Sequence, residues 1–143
     1  MDYIPAVKKE IEHLRALHEI ASFLSFKITL KELSEKILTI VSKTVQVETA
    51  TIYTINWEQK QLICLNSFGK DSEGILKRES RLKHKLGFGF VGWVAQIGRA
   101  EISNEPSKHP HYTKEMDALA SIVAKNILCV PIILKNKNYG AIE

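Results

Sequence analysis

The two most closely spaced histidines are His109 and His111, which Pro110 separates. A His-x-His pair supplies two imidazoles, but a zinc site needs at least a third ligand in the right geometry. His84 is the next nearest histidine and is distant in sequence. Because proline favours a loop, this pattern predicts two solvated imidazoles on a loop and no metal.

The thiols are the next candidates for chemistry, and there are two, Cys64 and Cys129. They are too far apart in sequence to indicate a disulfide framework or a four-thiolate zinc site. Neither has a basic neighbour that would favour the thiolate. Both fall in apolar segments and are predicted to be small core residues.

A glycine-rich segment between Gly87 and Gly92 reads G-x-G-x-x-G. It follows a basic loop and lacks a surrounding βαβ unit, so a dinucleotide site is not indicated. The glycines instead predict a tight turn into a short helix that ends before Gly98, with Trp93 in the core. No P-loop or G-x-S-x-G motif occurs, so we expect no enzymatic activity and no cofactor.

Composition indicates one soluble domain of ordinary size. The chain has 143 residues, of which 45% are apolar and 25% charged, and its net charge is +4. It lacks a long apolar run or a secretory signal pattern, so a cytoplasmic location without a membrane partner is expected. The basic stretch from Lys77 to Lys85 is predicted to be a solvated strand and loop, and no nucleic-acid partner is expected.

The first predicted helix covers residues 4–25 and has two apolar stripes. One stripe follows the period of a coiled-coil seam, and a second, adjacent stripe widens the apolar face toward the end of the helix. The seam consists of Ile4, Val7, Ile11, Leu14, His18 and Ala21. Residues 1–15 are therefore predicted to extend beyond the domain and to pair with a second copy. The alternative is a helix that packs only on its own domain.

The remaining elements alternate between hairpins and helices. Thr29 and Glu32 form a capping box for a helix that ends near Val45. Strands are predicted at 48–57, 61–68, 79–82, 101–104, 127–134 and 139–143, and short helices before Gly98 and at 113–123. The inner face of the last helix is predicted to contain Met116, Leu119, Ala120 and Val123. Adjacent hairpins with separate helices predict an α+β domain. The strand pattern at 139–143 stops mid-strand, so we expect the chain to be a fragment of a longer protein.

Several segments together resemble the GAF domain family. They are HEIASFL (18–24), LGFGFVGWVAQIGRAEISN (86–104), HPHY (109–112), NILCVPI (126–132) and YGAIE (139–143). The resemblance covers residues 16–143. It implies a fold related to PAS domains, with a mostly antiparallel central sheet and helices on both faces. One face would carry the terminal helices, often in a dimer, and the other a small-molecule pocket.

The resemblance also implies a regulatory function. Such a domain senses a small molecule within a larger cytoplasmic signalling protein and acts on an attached domain, such as a kinase, cyclase, phosphodiesterase or phosphotransferase. The alternative is a ligand-free dimerisation module. The ligand-binding residues implied are Ile102, Asn104, Tyr112, Met116, Asp117, Ala120 and Ala124. Asp117 is equally compatible with an exposed helix carboxylate.

The cyclic-nucleotide members of the family carry an Arg-Thr pair just before the strand that contains LCxP. This chain has Val123 and Ala124 there. Loss of a charged and a hydroxyl partner weakens binding, so we expect weak or no binding of cyclic GMP and cyclic AMP. The bilin-binding members of the family commonly attach the chromophore through a cysteine beside a histidine. Neither cysteine of this chain lies beside a histidine.

Overall fold

The computed structural model describes residues 3–23, 28–69, 73, 84–113 and 123–143. Its strands form one six-stranded sheet in the order β3-β2-β1-β6-β5-β4, and every neighbouring pair is antiparallel. The elements are α1 (Tyr3–Phe23), α2 (Leu30–Val45), β1 (Thr49–Asn56), β2 (Gln61–Gly69), β3 (His84–Lys85), α3 (Gly89–Ile97), β4 (Glu101–Ser103), β5 (Ile127–Leu134) and β6 (Lys137–Ile142). The predicted α+β class is confirmed.

Helix α2 begins where the sequence predicts, because the capping box forms. The Glu32 backbone N–H donates to the Thr29 hydroxyl at 3.2 Å. In return, the Thr29 backbone N–H donates to the Glu32 carboxylate at 2.8 Å. These bonds satisfy donors that the first helical turn leaves free. The helix ends at Gln46, which takes a left-handed conformation.

Helix α2 packs on one face of the sheet through Leu38, which contacts Ala50 and Ile52 of β1. Ser34 and Ser42 lie one turn to either side of Leu38 and are also buried. Their hydroxyls donate to carbonyl oxygens of α2 itself, so burial leaves no polar group unpaired. Small residues on this helix face allow a close approach to the sheet.

The opposite face of the sheet is covered by α3. Phe90, Val91, Val94 and Ala95 are at most 1% exposed and pack in one cluster with residues of the sheet. The sheet residues of this cluster are Tyr53, Ile55, Leu62, Cys129 and Ala141. We call the whole cluster the α3-face core. Successive strand residues point to opposite faces, so β1 supplies Ile52 to the α2 face and Tyr53 to the α3 face.

The two halves of the sheet meet where β1 pairs with β6, at Ile52–Thr54. Two further bonds, between the backbones of Thr51 and Glu143, extend this pairing. A Cβ on Gly140 would collide with the carbonyl oxygen of Tyr53. Glycine at this position therefore allows β6 to lie close enough to pair with β1.

Two predicted elements fall wholly or largely outside the described residues. They are the strand at 79–82 and the helix at 113–123. Val123, at the end of the predicted helix, is described, and it is 77% exposed and outside any helix. Its predicted inward position is therefore wrong, because the residue belongs to the irregular segment that leads into β5 and not to a helix.

We expect Gly140→Ala to lower the free energy of unfolding by about 2 kcal/mol or more, because the strand must shift to relieve the collision with Tyr53. Denaturant unfolding followed by circular dichroism measures this loss. Gly98→Ala is the comparison, since a Cβ there meets only the end of the Ile133 side chain at 3.6 Å. Its left-handed backbone should cost about 1 kcal/mol. Equal losses in the two variants would contradict the steric account.

The capping box makes α2 sensitive to acid. The bonds from the Thr29 backbone N–H and hydroxyl lower the pKa of Glu32. The unfolded chain therefore takes up the proton first, and the stability from this carboxylate is present at neutral pH and lost as the pH falls through the folded pKa. Unfolding measured from pH 7 to pH 3 should show the advantage of the wild type over Glu32→Gln shrinking. An advantage independent of pH would contradict this assignment.

Candidate functional site

The glycine-rich segment positions α3 and serves a structural purpose. Gly87 and Gly89 have φ angles of 84° and 72°, in the region that favours glycine. A Cβ on Gly92 would lie 2.6 Å from the carbonyl oxygen of Lys85. The G-x-G-x-x-G pattern is thus explained by a tight helix entry and close packing on β3. Gly98 ends the helix in a left-handed conformation, as predicted.

A cluster of four rings lies beside α3, and we call it the ring cluster: Phe90, Trp93, His109 and His111. The centroids of Phe90 and His109 are 4.9 Å apart, edge to face. His111 stacks on the Trp93 ring at 4.3 Å and 12°. The predicted loop is correct, but the prediction of two solvated imidazoles is wrong. Both histidines are half-buried because the loop turns back against α3.

A short 3₁₀ turn at Pro106–Lys108 directs this loop. Pro106 is buried, and the His109 backbone N–H donates to its carbonyl oxygen at 2.8 Å. The Tyr112 backbone N–H then donates to the carbonyl oxygen of His109 at 3.0 Å. These bonds hold His109 against Phe90 and let Tyr112 pack against the α3-face core.

The two nitrogens of His109 have different surroundings. Nδ1 accepts a bond from the backbone N–H of His111 at 3.3 Å. In the neutral ring the proton therefore lies on Nε2. Nε2 is 3.9 Å from the Glu101 carboxylate, and the two side chains are 15% and 27% exposed. A partly buried carboxylate and an imidazole N–H thus meet at the edge of the ring cluster.

The structure separates the predicted site residues. Tyr112 packs on the α3-face core, and Ala124 is half-buried where the chain approaches β5. Asn104 is exposed. Met116, Asp117 and Ala120 lie outside the described residues.

Ile102, one of the predicted site residues, lies on the face of the sheet away from α3. It pairs with Leu128, whereas Glu101 pairs with the buried Cys129 and Ser103 with Ile127. Because paired residues share a face of the sheet, Glu101 and Ser103 point toward α3 and Ile102 points away. Ile102 is accordingly 62% exposed.

Four contributors to this region were not among the predicted site residues: Glu101, Phe90, His109 and His111. The alternation of Glu101 with Ile102 in a short strand is the one local feature that could have indicated that the two side chains lie on opposite faces of the sheet. The histidines were recognised as a pair, but nothing local placed Trp93 beneath them. Their contacts depend on the fold of the loop after β4.

The thiols do not contribute accessible chemistry to this region. Cys129 is fully buried, and burial raises the pKa of its thiol. The thiolate is therefore strongly disfavoured. Cys64 is half-buried against the α3-face core, and its Sγ lies 3.8 Å from the carbonyl oxygen of Asn66. Within the described part of the chain, no three His, Cys, Asp or Glu side chains are grouped to hold a metal ion.

A separate groove of about 260 Å³ lies between α1 and α2. Its lining includes Phe23 and Lys36, and the Lys36 ammonium group lies 4.0 Å from the centre of the Phe23 ring. None of the predicted site residues lines this groove. None of the described helices is long and apolar enough to cross a membrane.

Replacing His109 should show whether its Nδ1 acceptor organises the loop. We expect His109→Ala to lower the free energy of unfolding by about 2 kcal/mol, because both the ring contacts and a bond partner are lost. His109→Asn retains an acceptor for the His111 N–H and should lose less. Denaturant unfolding measures both variants, and an equal loss would contradict the role of the acceptor.

The GAF domain family profile matches residues 29–143. The GAF domain of a phosphoenolpyruvate-protein phosphotransferase from Coxiella burnetii superposes with a TM-score of 0.78 and 16% identity, covering 92% of this chain and 76% of that one. An Acinetobacter phosphoenolpyruvate-protein phosphotransferase GAF domain gives 0.72 and 19% identity, covering 90% and 73%.

The free methionine-R-sulfoxide reductase of Neisseria meningitidis has the same fold, with a TM-score of 0.70 and 13% identity over 94% of this chain and 72% of that one. In sequence, the mouse cone cGMP-specific 3',5'-cyclic phosphodiesterase subunit alpha' is 27% identical over 73 residues, which is 51% of this chain and 8% of that protein. The chain thus spans a small part of this relative. It belongs to the GAF domain family, and is related to the sensory and regulatory domains of phosphodiesterases and other signalling proteins.

Proposed function

We propose that this chain is a regulatory domain that senses a small molecule within a larger signalling protein. The observation that carries the proposal is the edge of the ring cluster, where Glu101 and His109 meet beside half-buried aromatic surface. An apolar pocket with a few convergent polar groups is the usual form of a small-molecule site. Membership of a regulatory domain family supports the same function.

The ligand we propose has an aromatic or apolar body and a hydrogen-bond donor. Its body would contact Trp93 and Tyr112, and its donor would reach the Glu101 carboxylate. The Thr113 hydroxyl is buried and has no hydrogen-bond partner among the described residues. Leaving such a group unpaired is costly, so a ligand that bonds to it gains affinity. Asn104 and Ala124 flank this region in sequence and remain proposed contacts, together with Met116, Asp117 and Ala120.

Packed contacts connect this region to the first helix. The α3-face core includes Tyr53 of β1, and the adjacent Ile52 packs against Leu38 of α2. Helix α2 in turn contacts α1. A ligand that favours one arrangement of α3 would bias α1 through these contacts, and so an output domain joined to it. The size of this bias is the difference in ligand affinity between the two arrangements.

The second candidate function is a ligand-free interaction module. Its support is the close packing of the α3-face core, where Val91, Val94 and Cys129 are all fully buried. Under this hypothesis the domain acts through its exposed helix surfaces. A purified protein without a bound molecule, and without stabilisation by candidate ligands, would favour this candidate.

Native mass spectrometry of freshly purified protein tests the proposal. We expect part of the protein to carry an added mass of a few hundred daltons. Glu101→Gln should lower the ligand-bound fraction about tenfold, since a charge-assisted bond is lost. Glu105→Gln is the matched control, because it makes the same change at an exposed carboxylate whose ion pair is with Lys108 and not with a ring of the cluster. Ligand retention that is equal in both variants would exclude Glu101 from the site.

Cyclic nucleotides should be tested as ligands, since the phosphodiesterase relative is specific for cyclic GMP. We expect weak or no binding, because Val123 and Ala124 offer no charged or hydroxyl side chain. Val123 is moreover largely exposed. Submicromolar binding of cyclic GMP or cyclic AMP in calorimetry would contradict this expectation and identify the ligand.

A further inference from the structure

Two hairpin turns lie side by side at one end of the sheet, the turn between β1 and β2 and the turn between β5 and β6. The Trp57 ring joins them, because its Nε1 donates to the carbonyl oxygen of Asn138 at 3.1 Å. Strand β3 ends beside the first turn, where the Leu86 backbone N–H donates to the carbonyl oxygen of Lys60 at 2.9 Å. Three segments that are distant in sequence therefore meet at this end of the sheet.

Helix α3 begins and ends at the same place. Just before its first residue, the Phe88 backbone N–H donates to the carbonyl oxygen of Lys85 at 3.1 Å. Just after its last residue, Gly98 lies against Ile133 of β5, since a Cβ on this glycine would be 3.6 Å from Cδ1 of the isoleucine. We call the combined surface the hairpin end, and it consists of residues 57–60, 85–88, 97–99 and 133–139.

Large apolar side chains are exposed on the hairpin end. Phe88 and Leu134 are the most exposed of them, at 54% and 61%. The others are Trp57, Ile97, Ile133 and Tyr139. Single exposed apolar residues need no explanation, but a group of them marks an interaction site. The hairpin end therefore has the apolar component of a docking surface.

Basic side chains lie among these apolar groups and are almost unopposed. The hairpin end has five of them, and its one acidic residue is Glu58. This surplus of four equals the net charge of the whole chain, so the basic and acidic residues elsewhere balance each other. None of the five forms an ion pair with a residue in the described ranges. They are Lys60, Lys85, Arg99, Lys135 and Lys137, and all are exposed.

We propose that the hairpin end binds the surface of an anionic lipid membrane. Trp57 and Leu134 enter the boundary between head groups and acyl chains, where an indole ring with one polar edge is favoured. The lysines keep their ammonium groups at the level of the lipid phosphates while their stems lie along the apolar side chains. Each basic residue near the surface adds to the attraction, and the lack of internal ion pairs leaves all five available.

A single-stranded nucleic acid would use the same charges but a different kind of contact. Its bases stack on ring faces, whereas Ile97, Ile133 and Leu134 are aliphatic and offer no such face. Aliphatic side chains instead match the acyl boundary of a membrane. No membrane partner was expected from the sequence, because these residues lie in four separate segments that only the fold brings together. The inference does not depend on a ligand in the ring cluster.

Cosedimentation with vesicles tests the charged component. The wild type should bind vesicles of equal parts phosphatidylserine and phosphatidylcholine, and added salt or the omission of phosphatidylserine should weaken this binding strongly. Lys135→Gln combined with Lys137→Gln should weaken it about thirtyfold. The matched control combines Lys43→Gln with Lys125→Gln, which removes the same charge near the starts of β1 and β5, at the opposite end of the sheet. It should bind like the wild type.

Two further measurements test the apolar component. Vesicles should shift the tryptophan emission of the wild type to shorter wavelengths, and Trp57→Phe should lose this shift, because Trp93 is half-buried against His111. Leu134→Ser should weaken vesicle binding about tenfold. Val123→Ser is the control, since it changes a comparably exposed aliphatic residue near the start of β5 and should leave binding unchanged.

Three results would overturn the inference: no vesicle binding by the folded wild type, vesicle binding that does not require phosphatidylserine, or equal binding by the two double-lysine variants. Binding of single-stranded DNA without binding of vesicles would assign the surface to nucleic acid instead. The dependence on phosphatidylserine and salt is measured on the wild type, so it decides the matter even if a variant is destabilised. Circular dichroism should show wild-type unfolding for the variants, because every substituted side chain is exposed.

Discussion

The fold depends on the short pairing between β1 and β6. Strands β3, β2 and β1 form one half of the sheet, and β6, β5 and β4 form the other. The backbone bonds between the two halves are those of this pair and its extension at Thr51 and Glu143, and the Trp57 ring adds a bond from its Nε1 to the carbonyl oxygen of Asn138. The close approach of Gly140 to the Tyr53 carbonyl makes the pairing possible. Because β1 is covered on both faces, any shift of this strand would disturb the packing of α2 and α3 together.

The sheet separates two chemically different regions of the domain. The α3 face holds the ring cluster and Glu101, and the α2 face holds the contacts that lead to α1. Side chains alternate between the two faces along β1, so a residue on one face is followed directly by a residue on the other. The two regions are therefore linked by neighbouring residues of β1 but differ in chemistry. The α3 face has rings and a carboxylate, and the α2 face has aliphatic side chains.

Local patterns predicted most of the elements that the structure describes, although the two-residue strand β3 was not among them. The capping box at Thr29 and Glu32 fixed the start of α2, and Gly98 fixed the end of α3, because both signals act within a few residues. The strand hairpins followed from β-branched runs and turn residues. The buried face of α2 was harder, since Ser34 and Ser42 are buried for their small size while the larger Val45 is 48% exposed.

The site was less predictable because it depends on contacts between distant segments. A three-residue strand is too short for its own pattern to tell which side faces the core, so the exposure of Ile102 could not be predicted. His109 and His111 were recognised as a pair, but their burial requires Phe90 and Trp93 from α3. Family resemblance implied a site beside the loop after β4, and Glu101 was not among the residues that it implied.

Helix α1 has two apolar faces that point in opposite directions, and this constrains how the helix can change in length. The half-buried residues on the side of α2 begin at Ala16, and the exposed seam of Val7, Ile11 and Leu14 precedes them. Deleting one residue between Leu14 and Ala16 would turn everything before it by about 100°. Inserting seven residues would change the phase by only about 20°. The relative orientation of the two faces is therefore kept only when the length changes in steps of a heptad, and a single-residue change would turn the seam toward the side of its own domain.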